Sequence, residues 1–233
     1  MNNTGRDRVK IGTVHQIEIT SRCQLACKYC PHPHLKRVKA DMPMEVFETA
    51  LAWAQTFESP ELSLTGMGES TLHPEFCTML RMARDAFPNT KLLLSSNGVA
   101  VTDEMLDTMR ETNTILWLSA HRPEIAGKTL QRSLAKQVMT GINNNIIDSG
   151  FDWAGQVSWA NMAPPHVCQY LTRGWATILQ NGDVVSCCMD AGGLYPFGNI
   201  MDEVKPTHIG VMPLCKACHL SVPEGMQMEK VNG

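Results

Sequence analysis

Apolar and polar positions alternate along VHQIEIT, Val14 to Thr20, the two-residue period of a strand with unlike faces. Asp41 is placed to cap a helix running from about Met42 to Phe57, with Val46, Phe47, Ala50, Leu51 and Ala54 on one face at helical spacing. ELSLT, Glu61 to Thr65, reads as a second strand, and a helix around Pro74 to Ala86 follows with Phe76, Leu80 and Ala83 on one side. KLLLSS, Lys91 to Ser96, has the nearly unbroken apolar run of a strand buried in a parallel sheet. Thr102 opens the next helix, with Asp103 and Glu104 near its positive end. TILWLS, Thr114 to Ser119, is a fourth strand. Leu130, Leu134 and Val138 predict one long helix, and QVSW, Gln156 to Trp159, a fifth strand.

Strands alternating with helices at this spacing predict an α/β fold whose parallel sheet is joined by right-handed crossovers. The units are too few for an eight-stranded barrel, which typically needs about 250 residues, so an open, partial (β/α) barrel is expected. Pro164-Pro165 punctuates the chain, and the style changes after it. WATIL and DVVSC flank Asn181-Gly182, a hairpin signal because both turn residues tolerate positive φ. Two domains are therefore expected, residues 1–165 as the barrel and 166–233 as a small unit with a β-hairpin and a cysteine loop.

The 233 residues are 43% hydrophobic and 18% charged, enough apolar material for a core and too little charge for a disordered chain. A net charge of -3 argues against a coat for nucleic acid or an anionic membrane. The polar opening MNNTGRDRVK is unlike a secretory signal, and no apolar run reaches the roughly 18 residues of a membrane span. A cytoplasmic protein is expected. Nine cysteines, at 23, 27, 30, 77, 168, 187, 188, 215 and 218, then call for metal ligation more than for disulfides, because thiols stay reduced there.

Cys23, Cys27 and Cys30 fall within eight residues directly after the first strand. Soft thiolates favour iron–sulfur or zinc, and three of them on a four-iron cube leave one iron open. An open coordination position is what a catalytic metal site needs. The C-x3-C-x2-C spacing, with Tyr29 before the last cysteine, resembles the signature of the radical S-adenosylmethionine (SAM) superfamily. That resemblance implies a [4Fe-4S] cluster on these three cysteines whose fourth iron chelates SAM, reductive cleavage to a 5'-deoxyadenosyl radical, and hydrogen abstraction from an unactivated carbon. It also implies an external one-electron reductant such as a flavodoxin or ferredoxin. A zinc loop completed by His32 or His34 is the alternative.

Gly66-Met67-Gly68-Glu69 follows the second strand and resembles the family's G-x-G-E element, which holds the SAM amino group. By that resemblance Gly66, Gly68 and Glu69 are SAM-binding positions, as are Tyr29, Ser96, Asn97 and Ser119; these last three, with Ser95, lie at strand ends facing the ligand crevice. His121 and Arg122, just beyond Ser119, are candidates for substrate contact.

Cys168, then Gly182 with four residues between it and Cys187, then Cys215-Lys-Ala-Cys218 form a second group. It resembles a SPASM domain in its shortened Twitch form, which implies an auxiliary [4Fe-4S] cluster on Cys168, Cys187, Cys215 and Cys218. Four thiolates suit structural zinc equally well. Cys188 can stand in for Cys187 or act near the cluster, and Cys77 reads as a small core residue.

Residues 21–40 hold Arg22, Lys28, Lys36, Arg37 and Lys39 and no acid. Such a rim draws an anionic substrate, with Lys36 and Arg37 as contacts, offsets the charge of a cluster, or is solvated surface. The expected activity is hydrogen-atom abstraction from a small or nucleotide-like molecule, with the auxiliary cluster taking up an electron in a dehydrogenation. Redox-neutral isomerisation of a modified nucleotide or base is a second reading. Peptide modification is a third, disfavoured by the missing leader-binding segment before the barrel. A zinc-stabilised interaction module is the reading of another class.

Overall fold

The computed structural model describes residues 8–120, 122–143, 153, 154, 156, 166–218, 220, 221 and 223. A short strand β1 (Arg8–Lys10) precedes β2 (Thr13–Ile17), and then come α1 (Met44–Ala54), β3 (Glu61–Ser63), α2 (Phe76–Ala86), β4 (Lys91–Ser96), α3 (Asp103–Glu111), β5 (Ile115–Ser119), α4 (Pro123–Ala135) and β6 (Thr140–Asn143). The C-terminal part adds β7 (His166–Val167), α5 (Gln169–Arg173), β8 (Trp175–Ile178), β9 (Val184–Val185), β10 (His208–Gly210) and β11 (Leu220–Ser221).

One sheet of seven strands runs in the order β6-β5-β4-β3-β2-β8-β9. Every pairing from β6 to β8 is parallel, and only β9 runs antiparallel, against β8. This is the open, partial barrel that the alternating elements predict. Phe47, Ala50 and Leu51 of α1, Phe76, Leu80 and Ala83 of α2, and Leu106 and Met109 of α3 meet Leu62, Leu92, Leu94, Leu116 and Leu118 of the strands in one core. The polar face of the first strand is buried as well: Gln16, Glu18 and Thr20 are 8%, 1% and 1% exposed. Buried polar residues of that kind need partners; Glu18 has Arg37, and the Thr20 hydroxyl donates to Asp41.

Several boundaries differ from those expected. Asp41 does not cap α1, whose N-cap is Pro43 without a side-chain bond; its carboxylate instead accepts from the Thr20 hydroxyl at 2.7 Å and pairs with Arg22 at 2.6 Å. α4 ends at Ala135, leaving Leu134 at 59% exposure and Val138 buried beyond the helix. The chain then forms β6, which the sequence pattern did not suggest. Of the expected strand at 156–159, Gln156 sits in a turn, and 157–159 lie outside the described residues, as do Pro164 and Pro165.

The Asn181-Gly182 turn is present, with Gly182 at φ +88° and Thr177 opposite Val185. Its first strand, however, pairs in parallel with β2, so the division at 165/166 runs through one sheet. Among the described residues no helix is long and apolar enough to cross a membrane.

Candidate functional site

Parallel strands carry the residues at their C-terminal ends to one side of the sheet. Here the ends of β2 to β5 and the loop after β2 enclose a cavity of about 230 Å³. Cys23, Cys27 and Cys30 line it from that loop. Gly66, Gly68 and Glu69 line it from the turn after β3, Ser95, Ser96 and Asn97 from β4, and Ser119 from β5. The fold brings these residues together although they span nearly a hundred positions of the chain.

The two glycines are needed for close approach. A Cβ on Gly66 would collide with the Glu18 side chain, and one on Gly68 would collide with the Thr20 carbonyl and lie 2.7 Å from that of Arg22. The Glu69 amide donates to the Arg22 carbonyl at 2.7 Å, fastening this turn to the start of the cysteine loop. Glu69 itself is 3% exposed. One carboxylate oxygen accepts from the Ser96 and Thr71 hydroxyls at 2.8 and 2.7 Å, and the other from the Asn97 amide at 2.8 Å. Burial raises its pKa, while these donors oppose the shift. A ligand cation in the cavity would restore the ionised form.

Each outer cysteine of the loop is met by a backbone amide. Leu25 donates to Cys23 Sγ at 3.4 Å, and the His32 amide serves Cys30. Burial raises both thiols all the same, Cys30 to about 11, and the Glu69 and Cys27 charges add to the rise at Cys23. Such thiols stay protonated near neutral pH until a metal displaces the proton. Tyr29 pairs with the Cys27 thiol; burial, then Cys27, raises its phenol. Among the described residues no three His, Cys, Asp or Glu side chains converge on a point suited to one metal ion. Thiolates of an iron–sulfur cube bind separate irons and stand farther apart than ligands of a single ion. Three soft donors on one wall and a buried carboxylate near Cys23 fit a cube that leaves one iron to an ammonium-bearing ligand.

Two cations of the basic stretch, Arg22 and Arg37, are engaged in structure. Arg37, expected as a substrate contact, is instead a strut. Its guanidinium clasps the buried Glu18 carboxylate through Nη1 and Nη2 at 2.7 and 2.8 Å. It also donates to the Ala191 carbonyl at 2.7 Å and to the Gln180 side chain. Glu18 holds the Met67 amide as well, at 2.7 Å. The pair therefore ties the cysteine loop, the turn after β3 and the C-terminal hairpin together. The window 21–40 holds no acid because Glu18 and Asp41, the partners of Arg37 and Arg22, lie just outside it. Lys36 and Arg122 are exposed and are not among the residues lining the cavity. His121 lies outside the described residues. Lys39 is the cation that reaches Cys23 and Cys30, drawing both thiols down.

The second cysteine group is also assembled. Burial, then Cys188, Cys215 and Cys168, raise the Cys187 thiol, and Cys218 and Cys168 act in the same way on Cys215. Cys187, Cys188, Cys215 and Cys218 share an apolar cluster with Met189, Met212 and Tyr170. Cys77 packs against the main core. Sequence reasoning missed Gln16, Thr65, Trp153 and Cys188 on the cavity wall. For Gln16 a signal existed, since alternation along the first strand puts it on one face with Glu18 and Thr20.

The profile of the Radical SAM superfamily matches residues 17–157. The tungsten-containing aldehyde ferredoxin oxidoreductase cofactor-modifying protein of Pyrococcus furiosus is 39% identical over 98 residues. That match covers 41% of this chain and 26%, about a quarter, of that protein's length. The S-adenosyl-L-methionine-dependent 2-deoxy-scyllo-inosamine dehydrogenase of Niallia circulans is 21% identical over 239 positions, covering 90% of this chain and 94% of that one. The crystal structure of BtrN in complex with AdoMet and 2-DOIA overlays with a TM-score of 0.70 at 20% identity, over 82% of this chain and 79% of its own. At that identity the likeness is one of fold.

Proposed function

Because the chain belongs to the radical SAM superfamily, we propose that it is a SAM-dependent dehydrogenase of a small hydroxyl-bearing molecule. In this reading Cys23, Cys27 and Cys30 hold the SAM-cleaving [4Fe-4S] cluster, which together with SAM supplies a one-electron oxidant able to remove hydrogen from unactivated carbon. Cys168, Cys187, Cys215 and Cys218 hold a second [4Fe-4S] cluster, whose chemistry there is to accept the electron that an oxidised substrate gives up.

The chain's own residues do the binding and orienting. Glu69, held by Ser96, Thr71 and the Asn97 amide, accepts the ammonium of the cosubstrate. Asn97 lies 3.9 Å from Cys23 Sγ and stands between carboxylate and cysteine loop. Gly66 and Gly68 let the backbone close around both. Ser119 and Gln16 offer polar contacts to the remainder of a ligand in the same cavity. A flavodoxin- or ferredoxin-like protein supplies the initiating electron. For an alcohol, loss of the carbon-bound hydrogen atom, one electron and the hydroxyl proton leaves a carbonyl and consumes one SAM.

The observation that carries the reading is Cys188. It follows Cys187 directly, and it lines the same cavity as Cys23, Cys27 and Cys30, so an electron sink would stand one residue behind the substrate pocket. The Niallia circulans relative supports dehydrogenation by its name, and amino-cyclitols as the first candidates. The test is a product search with anaerobic, reduced enzyme and SAM against amino-cyclitols, other alcohols, peptides and modified nucleotides. A product two hydrogens lighter, formed one for one with 5'-deoxyadenosine, is expected. A product of unchanged mass and altered retention would overturn dehydrogenation in favour of isomerisation.

A further inference from the structure

Five thiols, those of Cys168, Cys187, Cys188, Cys215 and Cys218, gather where a cube has four corners to be held. We propose that Cys188 is the free one: a thiol of the cavity wall that meets whatever small molecule enters, and not an iron ligand. The inference rests on the reading that both cysteine groups hold clusters.

Hydrogen bonding separates Cys188 from Cys187, Cys215 and Cys218. Cys187 is met by the Met189 amide, Cys215 by the Met212 amide at 3.4 Å, and Cys218 by the Leu220 amide at 3.4 Å. Each is an amide of another residue, as at Cys23 and Cys30 in the first group. Besides its own amide, Cys188 has a different partner, the Tyr170 hydroxyl at 3.7 Å. Tyr170 sits two residues after Cys168 on α5, so the element that carries one expected ligand also fixes the orientation of Cys188.

Position separates them too. Cys188 lines the first cavity, and none of Cys168, Cys187, Cys215 and Cys218 is among its lining residues. His32, 5% exposed, lines the same cavity; Nε2 lies 3.0 Å from the Ser21 carbonyl, which assigns the ring proton to that nitrogen. Nδ1 is then a bare acceptor, buried, with no hydrogen-bond partner among the described residues. Cys188 is the polarisable surface that a molecule entering the cavity meets.

Two measurements on anaerobically reconstituted protein test this, and neither requires the substrate. The first is iron content of Cys188→Ala beside Cys187→Ala. Cys188→Ala is expected to keep about eight irons per chain and Cys187→Ala about four, one cube having been lost. The second treats the loaded parent protein with iodoacetamide and maps the modified thiols by mass. Cys188 is expected to react at least about tenfold faster than Cys187, with iron retained, since ligation quenches thiolate reactivity. Loss of about four irons in Cys188→Ala would make it a ligand and overturn the proposal. Retained iron with Cys188 unmodified in the loaded protein, yet modified after denaturation, would overturn its place on the open wall. A parent protein that binds zinc in both groups would instead sink the functional reading itself.

Discussion

Arg37→Ala removes one half of a buried ion pair and leaves the other. Glu18 is 1% exposed and Arg37 12%, and the contact is bidentate at 2.7 and 2.8 Å. Once the guanidinium is gone, the carboxylate keeps, among the described residues, the Met67 amide at 2.7 Å and a long contact to the Gln180 backbone amide at 3.5 Å. Breaking a buried pair from one side costs about 3–5 kcal/mol, because an uncompensated charge stays behind. At about 2–4 °C per kcal/mol for a chain of this size, the melting temperature should fall by roughly 6–20 °C. Removing both charges in Glu18→Gln/Arg37→Met should recover most of that, since two neutral side chains of similar volume carry little desolvation cost. Anaerobic thermal unfolding, followed by circular dichroism on parent, single and double variants at equal cluster loading, gives the comparison. A single variant within about 1 kcal/mol of the parent, or a double variant no better than the single, would refute the claim that this pair is the strut between loop and hairpin.

Glu69→Gln should weaken SAM binding about a hundredfold, because a buried carboxylate facing an ammonium is worth several kcal/mol; isothermal titration of the loaded protein measures it. Burial raises the Glu69 pKa in the ligand-free fold, so its neutral form adds stability that is complete below the unfolded carboxyl pKa and is lost as pH rises through the folded one. SAM affinity should run the other way, rising with pH through the folded value, and the Gln variant should flatten both slopes. Gly68→Ala should cost about 1–3 kcal/mol, since its Cβ would press on the Thr20 and Arg22 carbonyls; a shift in the urea midpoint together with lost iron is the expected readout. Cys168→Ala should hold about four irons in place of eight and still cleave SAM, while the oxidised product disappears.

Local chemistry made much of the fold legible. β4 spans Lys91–Ser96 as its apolar run predicts, Thr102 accepts from the Met105 amide at 3.2 Å as an N-cap should, and Asn181-Gly182 turns the hairpin. Elements decided by distant partners were not legible. Asp41 has the right residue type for a cap, yet Thr20 and Arg22 claim it across the loop. TGIN carries a glycine and little apolar weight, and it becomes a strand because β5 offers an edge to pair with. The hairpin reads as a separate unit, because nothing in WATIL says that it will lie parallel to β2. The same holds within the site. Cysteine spacing and the G-M-G-E turn mark one wall of the cavity from sequence alone, whereas Cys188 reaches the wall only through the path of the chain after β9. Arg37 reads as a free cation because Glu18 is nineteen residues away in sequence.

In the proposed function the thiols of one short loop hold a cluster able to cleave SAM reductively. Reconstituted parent protein and Cys27→Ala should be reduced anaerobically with excess SAM, and 5'-deoxyadenosine counted by mass spectrometry. Formation by the parent and background levels in the variant are predicted. Equal yields from the two proteins would contradict the account.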